Sequence, residues 1–164
     1  MRIPELGRNG QGWVVLQIVL FIAIAVAGVP DPSWSGGAGV VSSAIGATLI
    51  IVGGLLVFMG SRALGSSFSP NPRPVEIGHL VQSGIYTSVR HPIYGGIMFC
   101  GFGWGLFVAS PIALALAVVL VALLVLKTSL EEAWLVQRYP GYVEYRQHTN
   151  RFLPPIFRAR RSAP

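Results

Sequence analysis

Charge is scarce in this sequence. Charged residues make up 11% of the 164 positions, against about a quarter in an ordinary soluble domain. That deficit points to lipid as the solvent around much of the chain. Cysteine is scarcer still: the single Cys100 lies inside an apolar run, which excludes a disulfide framework or a thiolate metal cluster. The three histidines, His79, His91 and His148, match no ligand spacing, so no metal is expected. Basic residues are missing from two particular places. The linker "PDPSWSGG" carries only Asp31, and the "ASP" turn at 109–111 carries no ionisable side chain.

What the chain does hold is apolar length. One run extends from Trp13 to Val29, a second from about Ala38 to Gly60, a third from Pro92 to Ala109, and a fourth from Pro111 to Leu126. Each approaches the roughly 20 residues a helix needs to cross a bilayer. Helices follow because backbone polar groups in hydrocarbon must be satisfied within their own segment. The three-residue turn between the last two runs predicts a tight antiparallel hairpin. The first run follows basic residues and ends in "AVAG", as secretory signals do. It is longer than most signal cores, and a retained span is expected.

The twelve basic residues then set an orientation. Arg2 and Arg8 precede the first run, Arg62, Arg73 and Arg90 lie between the second and third, and Lys127 and six arginines from Arg138 to Arg161 follow the fourth. In a four-span arrangement all fall on one side, which places both termini and the long middle loop in the cytoplasm. The net charge of +6 is therefore read as membrane topology, with no nucleic-acid partner expected. The expected fold is an all-α integral membrane protein of about four transmembrane helices. Its divisions are two N-terminal spans (1–64), a cytoplasmic connecting loop (65–91), a helical hairpin (92–130), and a cytoplasmic capping segment with a basic tail (131–164).

Glycine is plentiful at 20 residues, many within the apolar runs. Gly101 and Gly105 form a G-x-x-x-G pair suited to close helix packing. "GFGWGL" follows no strand, so it fails as a nucleotide-binding loop.

Two stretches carry more chemistry than linkers need. In "GIYTSVRHPIYGG", Pro92 suits the first position of a helix, which puts His91 at the entrance, Arg90 before it and Tyr94 in the first turn. A helix N-terminus offers unpaired N–H groups and a positive dipole end, and Arg90 and His91 add donors for a carboxylate or phosphate. The same residues also serve as ordinary interfacial anchors. In "SLEEAWLVQRYPGYVEYRQHTNRFLP", Glu131 and Glu132 arrive just past the apolar run, where carboxylates are costly unless paired or functional. The helix is expected to continue to about Tyr139, with Glu131, Trp134 or Leu135, and Arg138 on one face and Glu132 on another. Tyr142 and Tyr145 then share one side of a short polar-aromatic helix, beside Arg146. That segment fits either an interfacial element or a lid.

Taken together, from Gly84 to Pro154, these stretches resemble the isoprenylcysteine carboxyl methyltransferases and their phospholipid methyltransferase relatives. The resemblance rests on Gly84, Tyr86, Arg90-His91-Pro92, Tyr94, the Glu131-Glu132 pair, Tyr142, Tyr145, Arg151 and Pro154. It implies a cytoplasm-facing pocket for S-adenosylmethionine, with S-adenosylhomocysteine as product, and a lipophilic substrate entering from the bilayer. The cofactor carboxylate would meet Arg90 and His91. Its ammonium or ribose would meet Glu131 or Glu132, and Tyr86, Tyr94, Tyr142 and Tyr145 would shape the adenine pocket near Gly84. Arg151 would orient a carboxylate nucleophile or close the pocket, and a glutamate, Glu132 among them, would act as base for an amine. Carboxyl O-methylation of a prenylcysteine-like or other apolar acid leads. The alternatives are phospholipid or amine N-methylation, an NADPH-dependent sterol-type reductase, and a non-catalytic protein binding anionic membrane lipids.

Overall fold

The computed structural model of the chain describes residues 3–29, 34, 36–74 and 78–154. Among them the regular structure is helical: α1 (Gln11–Val26), α2 (Gly37–Leu64), α3 (Pro92–Phe107), α4 (Pro111–Arg138) and α5 (Tyr142–His148). Short 3-10 turns at Gly65–Ser67 and Gly84–Thr87 and one parallel bridge between Val89 and Asn150 complete it. Arg2, most of the "PDPSWSGG" linker and the basic tail with Arg158, Arg160 and Arg161 lie outside the described residues.

Helices α2 and α4 have 28 residues each and are apolar enough to cross a membrane. At ~1.5 Å per residue each is about 42 Å long, more than the ~30 Å hydrocarbon core. Helices α1 and α3 have 16 residues each, about 24 Å by the same rise, so two of the four expected spans fall short of the core. For α3 the limits are local. Pro92 opens it, and Ser110, extended before Pro111, closes it. The fourth helix does run past the apolar stretch, to Arg138, as expected.

The helices alternate in direction and pack α1 on α4, α4 on α3 and α3 on α2. Ile24, Ala113, Leu120 and Leu124 form the buried core. Outside it, Val26, Val40, Ile51 and Ile112 on three different helices are each more than half exposed. An apolar girdle of this extent matches an integral membrane protein.

Packing between α2 and α3 is built on missing side chains. Gly46, Gly53 and Gly60, seven residues apart and all buried, face Gly103, Gly96 and the Pro92–Ile93 turn in antiparallel register. A Cβ on Gly53 would stand 2.6 Å from the Gly96 carbonyl oxygen, and one on Gly103 would stand 2.8 Å from that of Gly46. Small residues let membrane helices approach to backbone contact. The closest approach thus involves a seven-residue glycine repeat rather than the Gly101–Gly105 pair, which meets Leu120 and Leu114 of α4. At one end of the seam Ser42 and Ser43 donate to the carbonyls of Leu106 and Phe107 at 2.7 and 3.0 Å, satisfying the last turn of α3.

Candidate functional site

The site grows from the entrance of α3. Gly84, at φ +60°, starts the 3-10 turn that presents Tyr86 inward, while Gly84 itself is exposed. Pro92 takes the first helical position, as its chemistry predicts, and His91 precedes it as N-cap. The segment 150–151 then clips this entrance. Arg90 N–H donates to the Asn150 carbonyl and His91 N–H to that of Arg151, both at 2.8 Å, and Asn150 N–H returns to Ser88 at 3.0 Å. Buried backbone donors must find partners, and these two find them within the chain. Both groups precede Pro92, so the donors for the expected anion pole are those of the first helical turn itself. Gly95 lets the Phe152 backbone lie directly against α3, so what closes behind "GG" is helix α2 at Gly96 and the C-terminal strand of chain at Gly95.

Glu132 organises the charges. Its Oε1 accepts from Arg90 Nε and His91 Nε2, each at 3.0 Å, and Arg151 Nε stands 3.6 Å away. Arg90 also donates to the carbonyls of Arg146 and Thr149, tying α3, α4 and the end of α5 into one network. Arg151 donates through Nη2 to Ser129 at 2.8 Å. Glu131 takes the other direction: Tyr94 donates to its Oε2 at 2.7 Å, and its Oε1 lies 4.0 Å from His91 Nδ1. His91, buried, thus sits between the two glutamates.

Beside this network a cavity of about 200 Å³ opens between α1, the segments 67–74 and 78–81, α3, α4 and α5. Its walls include Tyr86, Arg90, His91, Tyr94, Glu131, Tyr142 and Tyr145, seven of the nine residues expected to hold a cofactor. Gly84 and Glu132 do not line it, and neither does Arg151. The reason is physical. Gly84 acts through its backbone turn, while Glu132 is drawn to Arg90, His91 and Arg151 behind the wall. Trp134 and Arg138 face a separate groove with Glu5 and Arg73, so of the face expected to carry Glu131, Trp134 or Leu135, and Arg138, only Leu135 joins Glu131 in the cavity wall.

The tyrosines differ in what their hydroxyls do. Tyr145 donates to the Tyr86 carbonyl at 2.6 Å, and its ring meets that of Tyr142 edge-on. The Tyr142 hydroxyl is buried with no hydrogen-bond partner among the described residues. Burial pushes the phenols of Tyr86 and Tyr142 well above their ordinary value and that of Tyr145 up to about 12. All three remain protonated donors in any physiological setting.

Two lining residues were not legible as site residues. Lys127, 2% exposed, donates to Gln17 Oε1 at 2.7 Å and lies 5.2 Å from the centre of the Tyr94 ring. In the sequence Lys127 looks like one more flanking charge and Gln17 like an isolated polar residue in an apolar run. Only the four-residue spacing Lys127, Glu131, Leu135, Tyr139 on α4 hinted at a common face.

A family model described as phospholipid methyltransferase matches residues 41–141. The chain is also 34% identical over 116 residues to a protein-S-isoprenylcysteine O-methyltransferase B of Arabidopsis thaliana. That match covers 68% of this chain and 59% of the relative, so the chain spans about three-fifths of the curated protein it matches. The family match reaches back through nearly all of α2, well before Gly84. By the extent of that match, the chain belongs to the phospholipid methyltransferase family, a family of methyltransferases.

Proposed function

We propose that this protein is an S-adenosylmethionine-dependent methyltransferase whose acceptor is a lipophilic acid drawn from the bilayer, a prenylcysteine-like carboxylate being the leading class. The observation that carries this reading is the buried Tyr142 hydroxyl, unpartnered in the wall of a largely aromatic and apolar cavity. A buried polar group without a partner costs free energy, and a ligand with ribose and adenine heteroatoms would supply the partner. The residues present fit that group. Tyr86, Tyr142 and Tyr145 offer flat aromatic walls, and Glu131 offers an acceptor for an ammonium or a ribose hydroxyl. Arg90 and Glu132 act here as the frame that positions His91 and α5, rather than as direct ligands.

When bound, the cofactor supplies a methyl group on a sulfonium, already a good leaving group. The chain's part is to hold the acceptor in line and keep the site dry. Methylation of a carboxylate would require no residue of the chain to take a proton from the acceptor. That suits a site in which the lone pairs of Glu132 are already engaged by Arg90 and His91. The segment from Tyr142 through Arg151 closes the cavity from above, and Arg151 braces it through Ser129. In this reading α1 and α3 complete a four-helix membrane domain, 1–130, with the cavity and both termini on the cytoplasmic side, where the basic residues gather. A phospholipid acceptor, the class the family description names, would need a base if its nucleophile is an amine, and Glu131 on the cavity wall is the group placed for it.

Calorimetry of the detergent-solubilised chain tests the reading. S-adenosylmethionine is expected to bind and NADPH is not. Binding of NADPH alone would return the sterol-type reductase alternative, and binding of neither would leave the lipid-binding one.

A further inference from the structure

We propose that Lys127, held by Gln17, is the group that recognises the acceptor's carboxylate and so sets the enzyme's choice of an acid; this rests on the methyltransferase reading above. Three observations carry it. Lys127 is 2% exposed, yet its ammonium lies in the cavity wall with Gln17. A buried ammonium at the end of an apolar run is costly, and one that makes no direct ion pair marks a candidate functional site. Among the described residues no carboxylate oxygen comes within 4.0 Å of its Nζ. Glu131, one turn away, accepts its hydrogen bond from the Tyr94 hydroxyl and acts on Lys127 only through space.

The ammonium has three donors. One goes to Gln17 Oε1, and the Tyr94 ring faces the charge at 5.2 Å. Two donors are left for a ligand. Lys127 also lies one helical turn, about 6 Å at ~1.5 Å per residue, nearer the apolar end of α4 than Glu131. The cavity is thus graded along α4. Glu131 and the three tyrosines at the outer end suit the cofactor, and Lys127 with Gln17 at the inner end suits a charged head group that arrives on an apolar tail. Holding one carboxylate oxygen on Lys127 leaves the other free to face the methyl group. A lipid amine would meet repulsion at the same place, which is discrimination by the penalty on the wrong ligand.

The test titrates the full-length chain in detergent with N-acetyl-S-farnesylcysteine and, separately, with its primary amide, no cofactor being present. The wild type is expected to bind the acid at least tenfold more tightly than the amide, as roughly expected for charge-assisted hydrogen bonds to a buried ammonium. Lys127→Met, which keeps the stem and removes the charge, is expected to bind acid and amide equally, and Lys127→Arg to restore most of the preference. Should Lys127→Met fail to give a folded, monodisperse protein, Lys127→Gln is compared in the same way. A wild type that shows no preference for the acid, or a preference that survives loss of the charge, overturns the proposal. S-adenosylmethionine binding is measured on the same samples. A charge-dependent acid preference without cofactor binding would leave the anion site standing and remove the methyltransferase reading, so the two fail separately.

Discussion

Helix α3 is held by different means along its length and at its entrance. Along its length α3 lies against α2 through glycines, with backbone close to backbone and only small or slender side chains such as Cys100, Val57 and Ile50 beside the contact. At its entrance it is held by backbone bonds to residues 150–151 and by a cluster of side-chain charge, with Glu132 as the hub for Arg90, His91 and Arg151. The seam has no free volume to give, whereas the hub has donors in excess of what one carboxylate oxygen can satisfy. A membrane enzyme needs both: a rigid wall that fixes the helix and a polar end whose groups can be shared with a ligand.

The largest expected effect tests the seam. Gly53→Val places atoms where the Gly96 carbonyl already lies, and overpacking of this kind costs about 1–3 kcal/mol or more. Loss of a monodisperse folded species in size-exclusion chromatography is expected. Gly54→Ala, where an added Cβ meets nothing within 4 Å, is expected to raise stability by about 0.5–1 kcal/mol. Equal tolerance of both changes would show that the seam does not hold the helices.

Next comes the hub. Glu132→Ala leaves Arg90, His91 and Arg151 without their common acceptor, and breaking such a buried pair costs roughly 3 kcal/mol. Thermal unfolding in detergent should register it, with Glu132→Gln milder. A variant as stable as the parent would mean that the arginines reach water and the network is decorative.

A smaller effect separates ligand contact from structural support. Tyr142→Phe removes a hydroxyl that has no partner in the protein, so stability should hold or rise. S-adenosylmethionine affinity should fall about fivefold, the worth of one ordinary hydrogen bond. A loss of stability with unchanged affinity would falsify the ligand-facing assignment.

The smallest effect is a pH dependence. Tyr145 titrates near 12 in the folded chain against an ordinary value of 10.0, because burial disfavours the phenolate. The unfolded chain therefore releases its proton first. The stabilising contribution is complete below pH 10 and is lost as pH rises toward 12. Tyr86 and Tyr142 are shifted in the same direction. Stability is expected to be flat up to about pH 10 and to fall above it. Tyr145→Phe should show a shallower fall and a loss of about 1 kcal/mol from the bond to Tyr86. A fall beginning below pH 9 would point to other groups.

Much of this was legible in the residues themselves. Apolar length and the scarcity of charge predicted helices in lipid, Pro92 marked the start of α3, and the absence of a breaker before Pro140 carried α4 to its observed end. "GIYTSVRHPIY" and the Glu131-Glu132 pair identified where the polar cluster forms. These are properties of single segments, set by local sterics, by propensity and by the solvent a segment prefers. Partner choice was decided only by the tertiary structure. Sequence alone could not say that Glu132 would turn to Arg90 while Glu131 turned to Tyr94, that backbone carbonyls of Asn150 and Arg151 would take the N–H groups of Arg90 and His91, or that Lys127 would bond Gln17 in the wall of a cavity. Adjacent residues on a helix point about 100° apart, and which neighbour each one meets depends on how far the helices slide and rotate when they pack. Here the glycine seam sets that slide.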